Sequence, residues 1–208
     1  TLESNPRGQT WAADAPGKPG GGLRWTNKYG FVGVTWSAAT PGVYDDGLNE
    51  HGLSVAQTQL DETTYPPVSD RAKAVDMRAV VGWLLGMAAN VSEARQLLEG
   101  GAQVWGHSDV PGDEDAEHQH LHILDAAGDT LLAEWMHGEL HLYGAAEGAW
   151  RTVTNSPDFP TQRSMRAYAA TDGFKWATTI NGMPAAYDSL SRQRRVELVN
   201  AVRPKVIP

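Results

Sequence analysis

Asp45-Asp46-Gly47-Leu48-Asn49-Glu50-His51-Gly52-Leu53 runs on into Ser54-Val55-Ala56-Gln57-Thr58-Gln59-Leu60, and this stretch decides how the rest of the chain is read. Asp-Gly and Asn-Glu-His-Gly break the backbone twice within six residues, and period-two alternation follows, with Val55, Gln57 and Gln59 on one face and Ser54, Ala56, Thr58 and Leu60 on the other. The pattern predicts a tight turn feeding a buried strand. Gln59 lies near the strand's end, where a polar side chain either serves chemistry or hydrogen-bonds a neighbour; the stretch alone supports both.

Outward from that strand, Leu23 to Ser37 reads as two strands joined by a turn at Asn27-Lys28, with Trp25, Tyr29, Phe31, Val32, Val34 and Trp36 around Gly30 and Gly33. Residues 1–22 contain Asn5-Pro6-Arg7-Gly8 and Pro16-Gly17-Lys18-Pro19-Gly20-Gly21-Gly22, a composition that predicts exposed loop. On the other side, Asp61 to Pro67 reads as loop. Val75, Val80, Val81, Leu84 and Leu85 recur at helical spacing within Arg71 to Gly86. Asn90 with Glu93 three residues later forms a capping-box pattern, so Ser92 to Leu98 predicts a second helix that stops at Gly100-Gly101.

Three strands, His118–Leu124, Thr130–Met136 and Leu140–Tyr143, follow as a meander with turns at Asp125–Asp129 and His137–Glu139. A further strand, Trp150–Thr154, ends at Asn155-Ser156-Pro157. Ser164–Ala170 and Ser191–Val202 read as helices, the latter with Arg192, Arg194 and Arg195 in its first turns. Strands, then a helix pair, then a meander define α+β with helices stacked on antiparallel sheet.

The 208 residues suit one domain with a full hydrophobic core. A formal net charge of −8, with Lys and Arg scattered, argues against a nucleic-acid partner. No apolar run is long enough to span a bilayer, and Thr-Leu-Glu-Ser-Asn-Pro does not carry the pattern of a signal peptide, so no membrane partner is expected. The absence of cysteine excludes a thiol nucleophile within these residues.

Among the candidate groups, His118, His120 and His122 share one strand face, a metal-ligand arrangement in principle. No carboxylate is paired with them in the sequence pattern, and a polar, solvent-facing strand edge is the favoured reading, with no metal or cofactor. Asn155 either donates its amide to an oxyanion or closes a turn. Arg192 either binds a carboxylate or tunes a nucleophile, or sits on an ordinary helix surface. Thr1 is either an N-terminal nucleophile with its own amine as base or a fragment boundary, and the poor strand character of Leu2-Glu3-Ser4-Asn5-Pro6 favours the boundary.

Gly47 to Leu53, Trp83-Leu84-Leu85-Gly86 with Val91-Ser92-Glu93-Ala94, His120-Leu121 before Asp125-Ala126-Ala127-Gly128, Thr154-Asn155-Ser156-Pro157, and Ser191-Arg192 together resemble the choloylglycine hydrolase family. That family joins bile salt hydrolases and penicillin V acylases among the N-terminal-nucleophile hydrolases. Pro6-Arg7-Gly8 and Leu23 to Gly30 are most similar to its Gram-negative branch. The resemblance implies a four-layer αββα sandwich, one domain over 1–208, a small-molecule amide substrate, a homo-oligomer (tetrameric in the family) and a periplasmic or secreted location. It further implies hydrolysis of a linear amide C–N bond by an N-terminal cysteine through an acyl-enzyme.

By the same resemblance, Asn155 donates to the oxyanion, Gln59 stands where the family places asparagine or tyrosine in the same hole, and Arg192 sits beside the nucleophile. Gln59 keeps an amide donor with a longer reach. The family's cysteine strand and its late strands have no counterpart here, so the expectation is an internal piece of a longer enzyme with little activity alone, whose opening strand would lie beside the nucleophile strand. Two other readings follow from the same residues: an amidase with Thr1 as nucleophile, and a non-catalytic module binding acyl or steroid ligands.

Overall fold

The computed structural model describes residues 1–35, 42–106, 118–148, 152–169, 179–180 and 183–202. Chain contacts divide it into two units, Thr1–Arg151 and Thr152–Pro208, each taken by itself below.

The first unit runs β1 (Leu2–Asn5), β2 (Thr10–Ala12), β3 (Arg24–Thr26), β4 (Phe31–Val34), β5 (Asp46–Asn49) and β6 (Ser54–Gln59). A 3-10 turn at Arg71–Lys73 leads to β7 (Ala74–Asp76), α1 (Met77–Met87), α2 (Val91–Glu99), β8 (Gln103–Trp105), β9 (Gln119–Leu124), β10 (Thr130–Met136) and β11 (Glu139–Gly144). Seven of the strands make one antiparallel sheet in the order β1-β4-β5-β6-β9-β10-β11, while β2 pairs with β3 and β7 runs parallel to β8.

The turn between β5 and β6 forms as its sequence predicts, and Asn49 explains why. Its Oδ1 accepts from the backbone N–H of His51 and of Leu53, both at 3.0 Å, which closes the turn while Gly52 takes φ +82°. The Asn49 Nδ2 then donates to the carbonyls of Leu85 at 3.0 Å and Ala88 at 2.7 Å, so two carbonyls that the end of α1 leaves open are satisfied from the sheet. Gly47 lies opposite both Gly33 and Val55, and a Cβ on it would stand 2.5 Å from the Leu85 Cδ1. The missing side chain is what lets α1 lie close to the sheet.

Alternation along the strands sorts the residues by face. Phe31, Val55, Leu121, Ile123, Leu131, Ala133 and Trp135 form one buried core with Val80, Val81, Leu84 and Leu85 of α1 and Ala94 and Leu98 of α2. α1 is buried over most of its surface because it packs on β4, β5 and β6 and also on β3 and β7. On the opposite face of β1, β4 and β5, Leu2, Val32, Val34 and Leu48 are exposed.

Helix ends follow their capping residues. Asp76 accepts from the Arg78 N–H at 3.0 Å and starts α1, and Asn90 accepts from the Glu93 N–H at 2.9 Å and starts α2. The Glu93 carboxylate accepts from the Ala89 N–H at 2.9 Å, one residue earlier than a standard capping box. Asp125, in the turn between β9 and β10, accepts from the Val91 N–H at 3.1 Å and ties that turn to α2.

Several expectations are corrected. Residues 1–22 are not all loop: β1 lies on the free edge of β4, and β2 pairs with β3. Glycine and proline mark the turns there correctly, but a strand's existence is set by its partner, which local composition does not report. The two strands within Leu23 to Ser37 do not pair with each other, and Trp36 and Ser37 lie outside the described residues. The helix expected from Arg71 begins only at Met77, because Asp76 is its cap and Ala74–Asp76 is extended beside β8. The strand that follows the Asn49 turn, β6, has a partner on each side, β5 and β9.

The second unit holds α3 (Phe159–Ala169), the short pair β12 (Thr179–Ile180) and β13 (Met183–Pro184), and α4 (Ser189–Val202). Both helices begin earlier than the sequence predicts. Asp188 caps α4 by accepting from the Ser191 N–H at 2.9 Å. Burial pushes its carboxyl upward in pKa, but hydrogen bonds from the Ser191 side chain and backbone prevail and hold it below the usual carboxylate range. Arg166 of α3 meets Glu197 of α4 at 3.3 Å. The strand expected over Trp150–Thr154 is absent where described: residues 152–154 are irregular, and Trp150 and Arg151 lie outside the described residues. Among the described residues no helix is long and apolar enough to cross a membrane.

Candidate active-site groups

In the second unit the segment Thr152–Asp158 has no ladder, and the carbonyls of Thr152, Asn155 and Pro157 accept from side chains instead. Gln193 of α4 donates to the Thr152 carbonyl at 3.1 Å, and the Thr154 hydroxyl donates to the Ser189 carbonyl at 3.2 Å. Asn155 is half-buried on this segment. Its Oδ1 accepts from an Arg192 terminal nitrogen at 3.2 Å, and the same nitrogen lies 3.3 Å from the Ser189 Oγ. Two of the three predicted site residues are therefore brought together.

The contact has a chemical sense. With the carboxamide oxygen held by a guanidinium, the Asn155 Nδ2 points away from the cation with its two hydrogens, and the positive charge polarises the amide toward donation. An arrangement of this kind can stabilise negative charge that develops on a carbonyl oxygen.

Gln59 lies in the first unit, exposed at the end of β6 opposite Gln119. Its Nε2 donates to the Asp61 carboxylate at 2.7 Å, so one amide hydrogen is occupied and the other is available. Asp61 is an acidic neighbour that opposes an oxyanion at the same place. Thr1 is exposed, and its ammonium donates to the Thr35 carbonyl at 3.0 Å. Three strand spacings separate β1 from β6, about 14 Å, so Thr1 and Gln59 do not share one small site.

The histidine strand is corrected as well. β9 is internal, and His120 is fully buried with its Nδ1 3.1 Å from the Glu134 carboxylate, itself fully buried. His118 Nδ1 meets the Asp61 carbonyl at 3.0 Å and His122 Nε2 meets the Thr130 hydroxyl at 3.2 Å. Burial of His120 came from tertiary packing, and its carboxylate partner came from the neighbouring strand, which spacing within one strand cannot reveal. Among the described residues no group of three or more His, Asp or Glu side chains could hold a metal.

The residue that sequence reasoning missed is Gln162, buried on α3 with its Nε2 donating to the carbonyls of Asn155 and Pro157. Phe159, one turn earlier, is buried too. A glutamine that shares a buried stripe with an aromatic residue at i, i+3 was the available signal.

With this geometry in place, the comparisons define the class. The family model for linear amide C–N hydrolases of the choloylglycine hydrolase family matches residues 21–195, a span that includes Gln59, Asn155 and Arg192; the chain belongs to that family. It is 29% identical over 150 residues to penicillin V acylase of Pectobacterium atrosepticum, a match covering 70% of this chain and 39% of the relative. The solved penicillin V acylase of Agrobacterium tumefaciens aligns over 100% of this chain and 58% of its own, with TM-score 0.77 and 25% identity. A variant of the conjugated bile acid hydrolase of Clostridium perfringens shares the fold, with TM-score 0.70 and 19% identity over 100% of this chain and 67% of its own. The α+β expectation therefore holds, and the chain spans about two fifths of the length of the curated relative that it matches.

Proposed function

We propose that these residues belong to an amidase that cleaves the linear C–N bond of small acylated molecules of the penicillin V, conjugated bile salt or acyl-homoserine lactone type. The observation that carries this reading is the Asn155–Arg192 contact within the segment matched by the family. A nucleophile adds to the amide carbonyl, the carbonyl oxygen takes up negative charge, and the Asn155 Nδ2 donates to it. Collapse breaks the C–N bond, the proton goes to the departing amine, and water releases the carboxylic acid from the acyl-enzyme.

Arg192 serves by its charge and by its hold on the Asn155 oxygen. No cysteine occurs among these 208 residues, and the part of the reaction assigned to them is the stabilisation of the charged carbonyl oxygen. A periplasmic or secreted location and a homo-oligomeric state belong to the same proposal.

The test uses the full-length polypeptide with penicillin V, a glycine-conjugated bile salt and a long-chain acyl-homoserine lactone as substrates. Release of amine and acid in equal amounts, with an acyl adduct at the N-terminal residue seen by mass spectrometry, is the expected result. Binding of all three without turnover would replace the amidase by a ligand-binding module. Turnover abolished by Thr1→Ala would assign the nucleophile to Thr1.

A further inference from the structure

Gln162 stands one turn inside α3 and is only 3% exposed. Its Nε2 donates to the Asn155 carbonyl oxygen at 3.1 Å and to the Pro157 carbonyl oxygen at 2.5 Å. The two hydrogens of one carboxamide thus hold two carbonyls that flank Ser156. A neutral side chain of this length with two hydrogens on one atom is a glutamine; leucine offers none, and glutamate offers at most one when protonated.

The position matters because, among the described residues, no strand pairs with residues 152–158. Gln193 grips the segment three residues upstream, at Thr152. The Asn155 side chain is fixed from α4 through Arg192 and Ser189, and its backbone is fixed from α3 through Gln162. An oxyanion donor acts only when its hydrogen lies within a few tenths of an ångström of the productive place.

We propose that Gln162 is a positioning residue for Asn155; the proposal rests on the reading of Asn155 as the oxyanion donor. Gln162 touches no substrate atom. It fixes the backbone from which the Asn155 carboxamide reaches Arg192 with its oxygen and presents its hydrogens on the other side.

The experiment compares Gln162→Leu, Gln162→Glu, Asn155→Ala and the double variant Gln162→Leu/Asn155→Ala in the full-length polypeptide, with kcat expressed per titrated active site. Gln162→Leu should lower kcat by about 10- to 100-fold, the range typical of a side chain that orients a functional one, with KM within about twofold. In the Asn155→Ala background it should cost nothing further, because its effect passes through Asn155. Gln162→Glu places a carboxylate against two carbonyl oxygens, and only its protonated form donates, so its kcat relative to the parent should rise as pH falls.

A kcat per site within twofold of the parent, or an equal loss with and without Asn155, overturns the proposal. Where Gln162→Leu fails to fold, the pH profile of Gln162→Glu decides. A parent with no amidase activity would sink the proposed function instead, and the crystal structure of the variant then judges the geometry. An Asn155 oxygen displaced beyond hydrogen-bond reach of Arg192 supports the positioning role, and an unchanged contact overturns it.

Discussion

Arg192 and Asn155, 37 residues apart in sequence, meet at 3.2 Å through a guanidinium nitrogen and a carboxamide oxygen. The bond gives the amide a direction, since the end that accepts is occupied by a cation and the end that donates faces away from it. Asn155→Ala should lower kcat by about 100- to 1,000-fold, as removal of an oxyanion-hole donor does elsewhere. Arg192→Lys keeps the charge but loses the planar fork, and should lower kcat by a smaller factor. Steady-state kinetics on the best of the three substrates check both.

Tyr44 packs edge-on against Phe31, and its hydroxyl lies 3.0 Å from both Glu3 and Asn5 of the edge strand β1. Burial, reinforced by Glu3, pushes its pKa up to about 12, while the Asn5 hydrogen bond acts the other way. The folded value lies above the ordinary value near 10, so folding favours the protonated phenol. That contribution is complete below about pH 10 and is lost as pH rises through 12. Denaturant midpoints measured from pH 9 to pH 12 should fall for the parent, and less steeply for Tyr44→Phe.

Gly47 has no room for a side chain, with the Leu85 Cδ1 at 2.5 Å and the Val32 carbonyl at 2.6 Å from where a Cβ would be. Gly47→Ala should destabilise by about 1–3 kcal/mol, because β5 or α1 must shift. Leu85→Ala in the same background removes the methyl group in the way and should recover part of that loss. Urea unfolding of the two single variants and the double measures it.

Much of this was legible because the deciding residues act locally. The Asn49 turn, the Asn90 cap, the Asp125 turn and the His137-Gly138 turn, where both residues take positive φ, each carry their reason within a few residues. What was hidden depends on groups far apart in sequence. β1 was read as loop because β4, 29 residues on, supplies its hydrogen bonds; His120 was read as solvent-facing because Glu134 stands on the next strand. Asn155 and Arg192 could be named as candidates from their residue types and from the resemblance, but the hydrogen bond between them, and the grip of Gln162 beneath, are tertiary facts.

The four bonds of Asn49 carry one more consequence, for how this sequence can vary. One carboxamide ends α1 at Leu85 and Ala88 and shapes the turn at His51 and Leu53, so those two places are not free to drift independently. A change that lengthens the helix by one residue moves the carbonyls off the Asn49 amide, and the turn 36 residues earlier then loses its clasp. Substitutions in Leu85–Ala88 and in Asn49–Leu53 should be epistatic, with coupling of about 0.5–3 kcal/mol in a double-mutant cycle, because this one side chain is bonded to both segments.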